Sequence, residues 1–501
     1  MLRPVRHLPG LLISVFLTLL YLRTLAPGLT WGFDGADGGD LITAAATGGV
    51  PHPSGYPTYL VLASVFLRIP IGSLAFRTNL LSLAAAVLAA ALIYALVLAA
   101  SQSVFAASVA SIFFGTAPLV WSQAIITEVY TLQALLTVCF LGLLLSGRRS
   151  RFNELAVGIV TGLSLGNHLM AAFLLPLLLL RPGSPGEAVA TNSERATVGP
   201  ASMAKVYLQR LVGLGAGLSI YLVIPLRAAS HAPVNWGNAH NLSGLLSLVS
   251  GQVYWSRLGQ SNAAYLVNGA RSWAHFMVQQ LGPAGLLLAI AGLIVLFRPR
   301  VLYFATIWMA ISYSNLSIIY YSADSYVYVM PVLVSCSIWI GLGSHWLMER
   351  VSGALAYGGR AVVIVVMGFF LFQGILVVPR MDLSSDRRAE DFAHAILDSA
   401  PPRSILLTEG DEATFALWYF HYALRERPDM AVVSSDLFAQ PWYREVLRYT
   451  YADLALPIEP WSPALAQANP GRTVCVVASI LQPRLECTPQ YGRLAWRTQG
   501  N

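Results

Sequence analysis

Stretches of about twenty mostly apolar residues recur along this chain, and no other feature constrains its fold as strongly. A segment that long and apolar has to satisfy its backbone polar groups internally, as a membrane-crossing helix does. Such windows fall near residues 9–28, 75–99, 103–122, 130–147, 206–226, 276–297, 301–320, 326–347 and 360–379. Residues 154–182 are too long for one ordinary helix and are interrupted at Gly166-Asn-His168, so they read as two shorter spans. About eleven crossings result. A composition of 56% hydrophobic and 11% charged residues agrees, and it excludes an ordinary soluble enzyme of this size. The N-terminus has the basic and apolar parts of a signal peptide. However, Ala26-Pro-Gly28 is a poor cleavage site, so residues 9–28 are expected to stay as a first helix.

The net charge of +7 comes with arginines in short loops beside the apolar windows, where they orient the protein; nucleic acid is not an expected partner. Arg3, Arg6, Arg148, Arg149, Arg151, the 181–210 segment, Arg298, Arg300 and Arg350 all fall on one side, which is therefore the cytoplasm. A cytoplasmic N-terminus follows, with the 29–74, 122–130, 227–275 and 320–326 loops and the C-terminal tail outside, in a multi-pass protein of the cell membrane. Lys205 is the only lysine, and nothing in the sequence ties that to function.

Two domains are expected, a transmembrane part over 1–380 and an extracytoplasmic α/β part over 381–501. Runs 404–408, 430–434 and 473–478 read as buried strands, with helices at 413–425 and 442–451 between them. Cys475 and Cys487 share this region and would pair only if it is exported, which spacing alone does not settle. Segment 183–202, rich in Gly, Ser, Ala and Thr, reads as a flexible cytoplasmic loop.

Acids held against a membrane are costly unless used, so the first outward loop draws attention. Asp37-Gly-Gly-Asp40 precedes a small-residue run to Thr47 that reads as a short surface helix, with both carboxylates on one face. One carboxylate can take a proton while the other orients an acceptor or holds a metal; alternatively, either simply caps the helix. His52-Pro-Ser-Gly-Tyr-Pro57 is a rigid turn with an interfacial tyrosine, Tyr56. His52 is left to bond a phosphate, to shuttle a proton or merely to pack.

Glu128 and Tyr130, in a very short outward loop, sit at the membrane boundary. Glu128 is either a substrate or metal carboxylate or the partner of an arginine such as Arg77. His168 interrupts an apolar hairpin at the same depth and either faces the site or packs. Arg227, at the outer end of a span, suits a lipid-linked phosphate or snorkels to headgroups; Arg257 is a weaker candidate for the same role, while Trp236 and Asp324 complete the binding set.

Together, Asp37-x-x-Asp40, Val50-Pro-His-Pro-Ser-Gly-Tyr-Pro57, Trp121-Ser-Gln, Glu128-Val-Tyr130, Gly166-Asn-His168, Pro225-Leu-Arg227 and Asn235-Trp-Gly237 resemble the protein O-mannosyltransferase-like family. In the tail, Gly410-Asp411, Thr414-Phe415, Leu417-Trp-Tyr419, Arg427-Pro-Asp429 and Pro441-Trp-Tyr443 resemble that family's C-terminal part. Two departures stand out: position 40 is Asp where the family usually has Glu, and Ser54 replaces a proline of the family's turn.

The resemblance implies a GT-C glycosyltransferase, a polytopic enzyme that takes a sugar, mannose first, from a polyprenyl-phosphate donor at the outer face. It maps the catalytic acid to Asp37 and Asp40. The acceptor would be a Ser or Thr hydroxyl of protein, or alternatively a glycan or lipid. No cofactor is certain, and a divalent metal stays open. A lipid or solute transporter is the rival class, since broken spans mark those too. Against it, the acids cluster in an outward loop and no inverted repeat is visible. A membrane scaffold presenting the tail to partners would leave those acids unexplained.

Overall fold

The computed structural model describes residues 6–146, 150–180, 200–258, 262–295, 300–320, 324–354, 357–458, 462–480 and 483–488. The chain opens with α1 (Leu8–Thr24), α2 (Asp37–Thr47), α3 (Pro57–Phe66) and α4 (Leu74–Ser101). Next come α5 (Val104–Thr116), α6 (Pro118–Ala124), α7 (Tyr130–Leu144) and α8 (Arg151–Asn167). A tighter helical stretch, Leu169–Leu179, leads to α9 (Pro200–Leu218), α10 (Val223–Ala228) and α11 (Leu242–Val249). The helical part closes with α12 (Ala263–Val295), α13 (Arg300–Ile319), α14 (Met330–Ala354) and α15 (Gly358–Met381).

Among the described residues, five helices are long and apolar enough to cross a membrane, or six if the bent pair α5–α6 is one span. That is fewer than the roughly eleven windows expected, and proline explains part of the difference. Pro118 starts a new helix 61° off α5, and Pro176 lies inside the Leu169–Leu179 stretch. The windows at 9–28 and 130–147 form apolar helices that are too short to pass by length, and at 360–379 only the Val365–Met381 part of α15 enters the count. The break expected near His168 is present, with α8 ending at Asn167 and His168 extended.

Small residues set the tightest helix contacts. A Cβ on Gly158 would stand 2.0 Å from the Arg210 carbonyl, and one on Gly213 would stand 2.1 Å from that of Leu155, so α8 and α9 touch backbone to backbone. Gly292 and Gly343 do the same between α12 and α14, and α14 runs through the buried centre. Next to the α8–α9 seam, Arg210 Nε bonds Glu154 Oε2 at 2.7 Å, and the same guanidinium donates to the carbonyls of Leu178 and Leu180.

The tail begins with α16 (Arg388–Ser399), β1 (Ile405–Thr408), α17 (Asp411–Trp418), β2 (Ala431–Ser434) and α18 (Ser435–Phe438). It ends with α19 (Pro441–Thr450), α20 (Ser462–Ala468), β3 (Val474–Ser479) and β4 (Arg484–Cys487). The sheet order is β2-β1-β3-β4, with β1 parallel to both β2 and β3 and β4 antiparallel to β3. The three expected strands are present. The fourth, Arg484-Leu-Glu-Cys487, escaped because it is a short and largely exposed edge. Cys475 and Cys487 pair across β3 and β4 and are joined as a disulfide. The expected 413–425 helix stops at Trp418 and continues as a wider turn over Tyr419–Ala423. Segment 183–202 lies outside the described residues except for the start of α9.

Candidate active site

Helix α2 starts at Asp37, so Asp37 and Asp40 both occupy its first turn, where the helix dipole favours negative charge. A Cβ on Gly39 would stand 2.3 Å from the Phe415 carbonyl, so only glycine lets α17 of the tail lie directly on this turn. The chain leaves α2 through left-handed Gly48 and is then pinned at Val50. The Val50 amide donates to the Val234 carbonyl, and the Val50 carbonyl accepts from Trp236, both at 3.0 Å. Two loops distant in sequence are thereby held side by side.

Asp40 is wholly buried. Its Oδ2 accepts from the His52 amide at 2.9 Å and from His52 Nδ1 at 2.7 Å, and its Oδ1 accepts from Trp236 Nε1 at 3.0 Å. On the far side of the ring, His52 Nε2 lies 2.9 Å from the Tyr56 hydroxyl and 3.4 Å from Asp37 Oδ2. The Tyr56 hydroxyl donates to the Pro53 carbonyl at 3.1 Å and so offers Nε2 a lone pair. With an acceptor at each nitrogen, the ring is placed to carry two protons.

The Asp37 side chain is 33% exposed and is the open end of this chain of contacts. Burial pushes its carboxyl up, the His52 charge pulls it back, and Asp411, Asp40 and Asp324 push it up again, to about 6. For His52, burial pulls down, but the Asp37 charge and the Asp40 hydrogen bond outweigh it and hold the ring at about 10. Near neutral pH the site therefore presents an accessible carboxylate beside a fixed imidazolium.

Glu128 is buried behind this pair, with Oε2 accepting from the Val129 amide at 3.3 Å and its backbone held by Ser82. Burial and then the Asp37 charge push its carboxyl well above the usual range. The arginine proposed as its partner is engaged elsewhere, since Arg77 donates to the carbonyls of Leu67, Ile71 and Gly72. His168 accepts from the Met170 amide at 3.1 Å and is ringed by Tyr56, Tyr130 and Tyr328 at 5.9, 5.7 and 5.7 Å between centroids. Tyr328 was not singled out from sequence, although it sits two residues after Tyr326 and close to Asp324. Asp324 begins the short helix Ser325–Val329 and acts electrostatically on Asp37 and Glu128.

Arg227 is held by hydrogen bonds within the protein. It donates to the carbonyls of Ala44 and Gly49 at 3.1 and 3.3 Å and to Ser64 Oγ at 2.7 Å, bracing the C-terminus of α2 as a cation there should. Arg257 lies on the helical stretch Gln252–Leu258, and its side chain is outside what the structure describes. Trp236, expected to bind substrate, donates to Asp40. Sequence reasoning missed that Phe415 and Trp442 of the tail reach this site, with Phe415 parallel to His52 at 6.4 Å; both lay in motifs noted only for resemblance. No group of three or more His, Cys, Asp or Glu side chains able to hold a metal occurs among the described residues.

Known proteins resemble this chain in sequence and in fold. Residues 37–181 match the family described as the protein O-mannosyl-transferase TMEM260 N-terminal domain, and residues 389–473 match TMEM260-associated domain 2. The first match begins at Asp37. The chain is 26% identical over 491 residues to mouse protein O-mannosyl-transferase TMEM260, covering 90% of this chain and 66% of that protein. It is 22% identical over 488 residues to the Dictyostelium discoideum protein O-mannosyl-transferase tmem260, covering 86% and 58%. It therefore spans less than two thirds of the length of these relatives. Crystal structures of ArnT from Cupriavidus metallidurans, apo and bound to undecaprenyl phosphate, superpose with TM-scores of 0.54 and 0.53 at 14% and 13% identity. Each superposition covers 86% of this chain and 90% of ArnT, a likeness of fold. The chain is thus a multi-pass membrane protein with the fold of ArnT, and its 37–181 and 389–473 segments are similar to the domains of the protein O-mannosyl-transferase TMEM260 family.

Proposed function

We propose that the chain is a membrane glycosyltransferase that moves a sugar, mannose first, from a polyprenyl-phosphate donor to a Ser or Thr hydroxyl of protein at the outer face. The observation that carries the reading is the division between two carboxylates three residues apart. Asp40 is enclosed by three donors, while Asp37 is open and adjusted toward neutrality. A general base works best with a pKa near the operating pH, which fits Asp37. The names of the curated relatives support the sugar and the acceptor, and the fold shared with ArnT supports the lipid-linked donor.

In the proposed step the acceptor oxygen attacks the anomeric carbon. The bond from that carbon to the phosphate oxygen breaks, its electron pair leaves with the lipid phosphate, and the hydroxyl proton passes to Asp37. One displacement inverts the anomeric centre. His52, held at both nitrogens, orients Asp37 and keeps positive charge beside the developing anion. Buried Glu128 and the tyrosines around His168 line the adjacent wall, where hydroxyls and ring faces suit a sugar. On this reading the tail and the acid loop lie outside the cytoplasm. Incubating the purified chain with polyprenyl-phosphate mannose and a Ser/Thr peptide tests the reading by mass spectrometry. Addition of one hexose to the peptide supports it, and inert behaviour with every polyprenyl-phosphate sugar rejects it.

A further inference from the structure

Trp236 lies at the junction between the helical part and the tail. Its indole N–H donates to Asp40 Oδ1 at 3.0 Å, and the ring is almost wholly buried. Three tail rings surround it: Trp442 at 5.4 Å, Phe415 at 6.3 Å and Trp418 at 6.5 Å. Helix α19 grips the same segment a second time, two turns beyond Trp442. There the Tyr449 hydroxyl donates to the Ala232 carbonyl at 3.2 Å and accepts from Asn235 Nδ2 at 3.1 Å. The flank of α19 that carries Tyr443 and Leu447 is buried against the tail, where the Tyr443 hydroxyl accepts from the Ser434 amide. A rigid element of the tail thus holds 232–236 at two points, and that segment holds Asp40.

We infer that Trp236 and Trp442 are positioning residues for transfer. Trp442 clamps Trp236 against the tail, and the Trp236 N–H fixes the Asp40–His52 pair that faces Asp37. The inference rests on the proposed transferase reading. It makes the tail part of the active site, since the order of contact runs from Trp442 to Trp236, Asp40, His52 and Asp37. Packing alone does not require an N–H at position 236, because phenylalanine would fill most of the same space. What phenylalanine lacks is the donor to a buried carboxylate oxygen, and such charge-assisted bonds are among the stronger ones.

The test compares full-length Trp236→Phe, Trp442→Ala and Trp442→Phe with Asp37→Asn, measuring kcat, donor KM and the pH profile of transfer, with thermal unfolding in detergent as a fold check. Trp236→Phe is expected to lower kcat roughly tenfold with donor KM unchanged, the size of one lost hydrogen bond to a charged group. Its acidic limb is expected to move to higher pH, because a loosened His52 no longer holds the Asp37 carboxyl down. Trp442→Ala should behave likewise, and Trp442→Phe should restore most of the rate. If Asp37→Asn is inactive while folded Trp236→Phe keeps the wild-type kcat and acidic limb, this inference falls and the transferase reading stands. If Asp37→Asn is fully active, both fall.

Discussion

Asp40 Oδ2 accepts two hydrogen bonds from His52, one from its amide at 2.9 Å and one from its ring at 2.7 Å, so a single residue closes the loop and orients the imidazole. This makes the two first-turn acids unequal. Asp40 is enclosed, and Asp37 is partly open.

Replacing Asp37 with Asn should therefore remove catalysis and spare the fold. The carboxylate is partly open, so transfer should fall by at least about a thousandfold, within the range for a lost general base, with little change in thermal unfolding.

Asp40→Asn should show the opposite balance. One side-chain oxygen cannot serve donors on both sides, and the new amide would face a donor N–H. A stability loss of about 2–3 kcal/mol is expected, together with reduced transfer, read as a lower unfolding midpoint in detergent.

The rate should depend on pH through Asp37 first. A base raised to about 6 is active when deprotonated, so transfer should fall as pH drops through about 6. His52 is held at about 10, so its positive charge should persist through neutral pH and be lost only in strongly alkaline buffer. An acidic limb near the ordinary carboxylate range would contradict the assignment.

Glycines 38 and 39 offer a paired test of the tail's seat. A methyl on Gly39 would meet the Phe415 carbonyl at 2.3 Å and must separate α17 from α2, whereas one on Gly38 would meet Thr127 Cβ at an ordinary 3.4 Å. Gly39→Ala should cost most of the transfer activity, and Gly38→Ala should change it less than about twofold at a site where the added methyl fits.

Away from the site, Glu154→Gln should destabilise the helical part. Arg210 would stay buried at 1% exposure without its charge partner, at a cost of about 3–5 kcal/mol, with kcat of the folded fraction unchanged.

Much of this was legible in the sequence because burial in a membrane and in a parallel sheet both demand continuous apolar runs. The α4, α12, α13 and α14 windows and strands β1 to β3 were visible for that reason. Counting apolar residues could not register the 61° bend at Pro118 or the shortness of α1 and α7. The acid pair was visible as a pair, but spacing puts Asp37 and Asp40 on one face without saying which one is enclosed. That was decided by His52, twelve residues further along the same loop, and by Trp236 from another loop. Arg227 reads as a phosphate ligand because a cation beside a membrane has that chemistry, and its bond to a carbonyl near the end of α2, 183 residues away, is invisible to local spacing. The reach of Phe415 and Trp442 into the site is a tertiary fact that no local pattern encodes.

In the proposed mechanism Asp37 takes the acceptor's proton during transfer from a polyprenyl-phosphate sugar. The most direct measurement is single-turnover transfer of radiolabelled mannose from polyprenyl-phosphate mannose to a Ser/Thr peptide by purified wild-type and Asp37→Asn chains of equal thermal stability. The account predicts labelled peptide from the wild type and none above background from the variant. Equal labelling by both would contradict it.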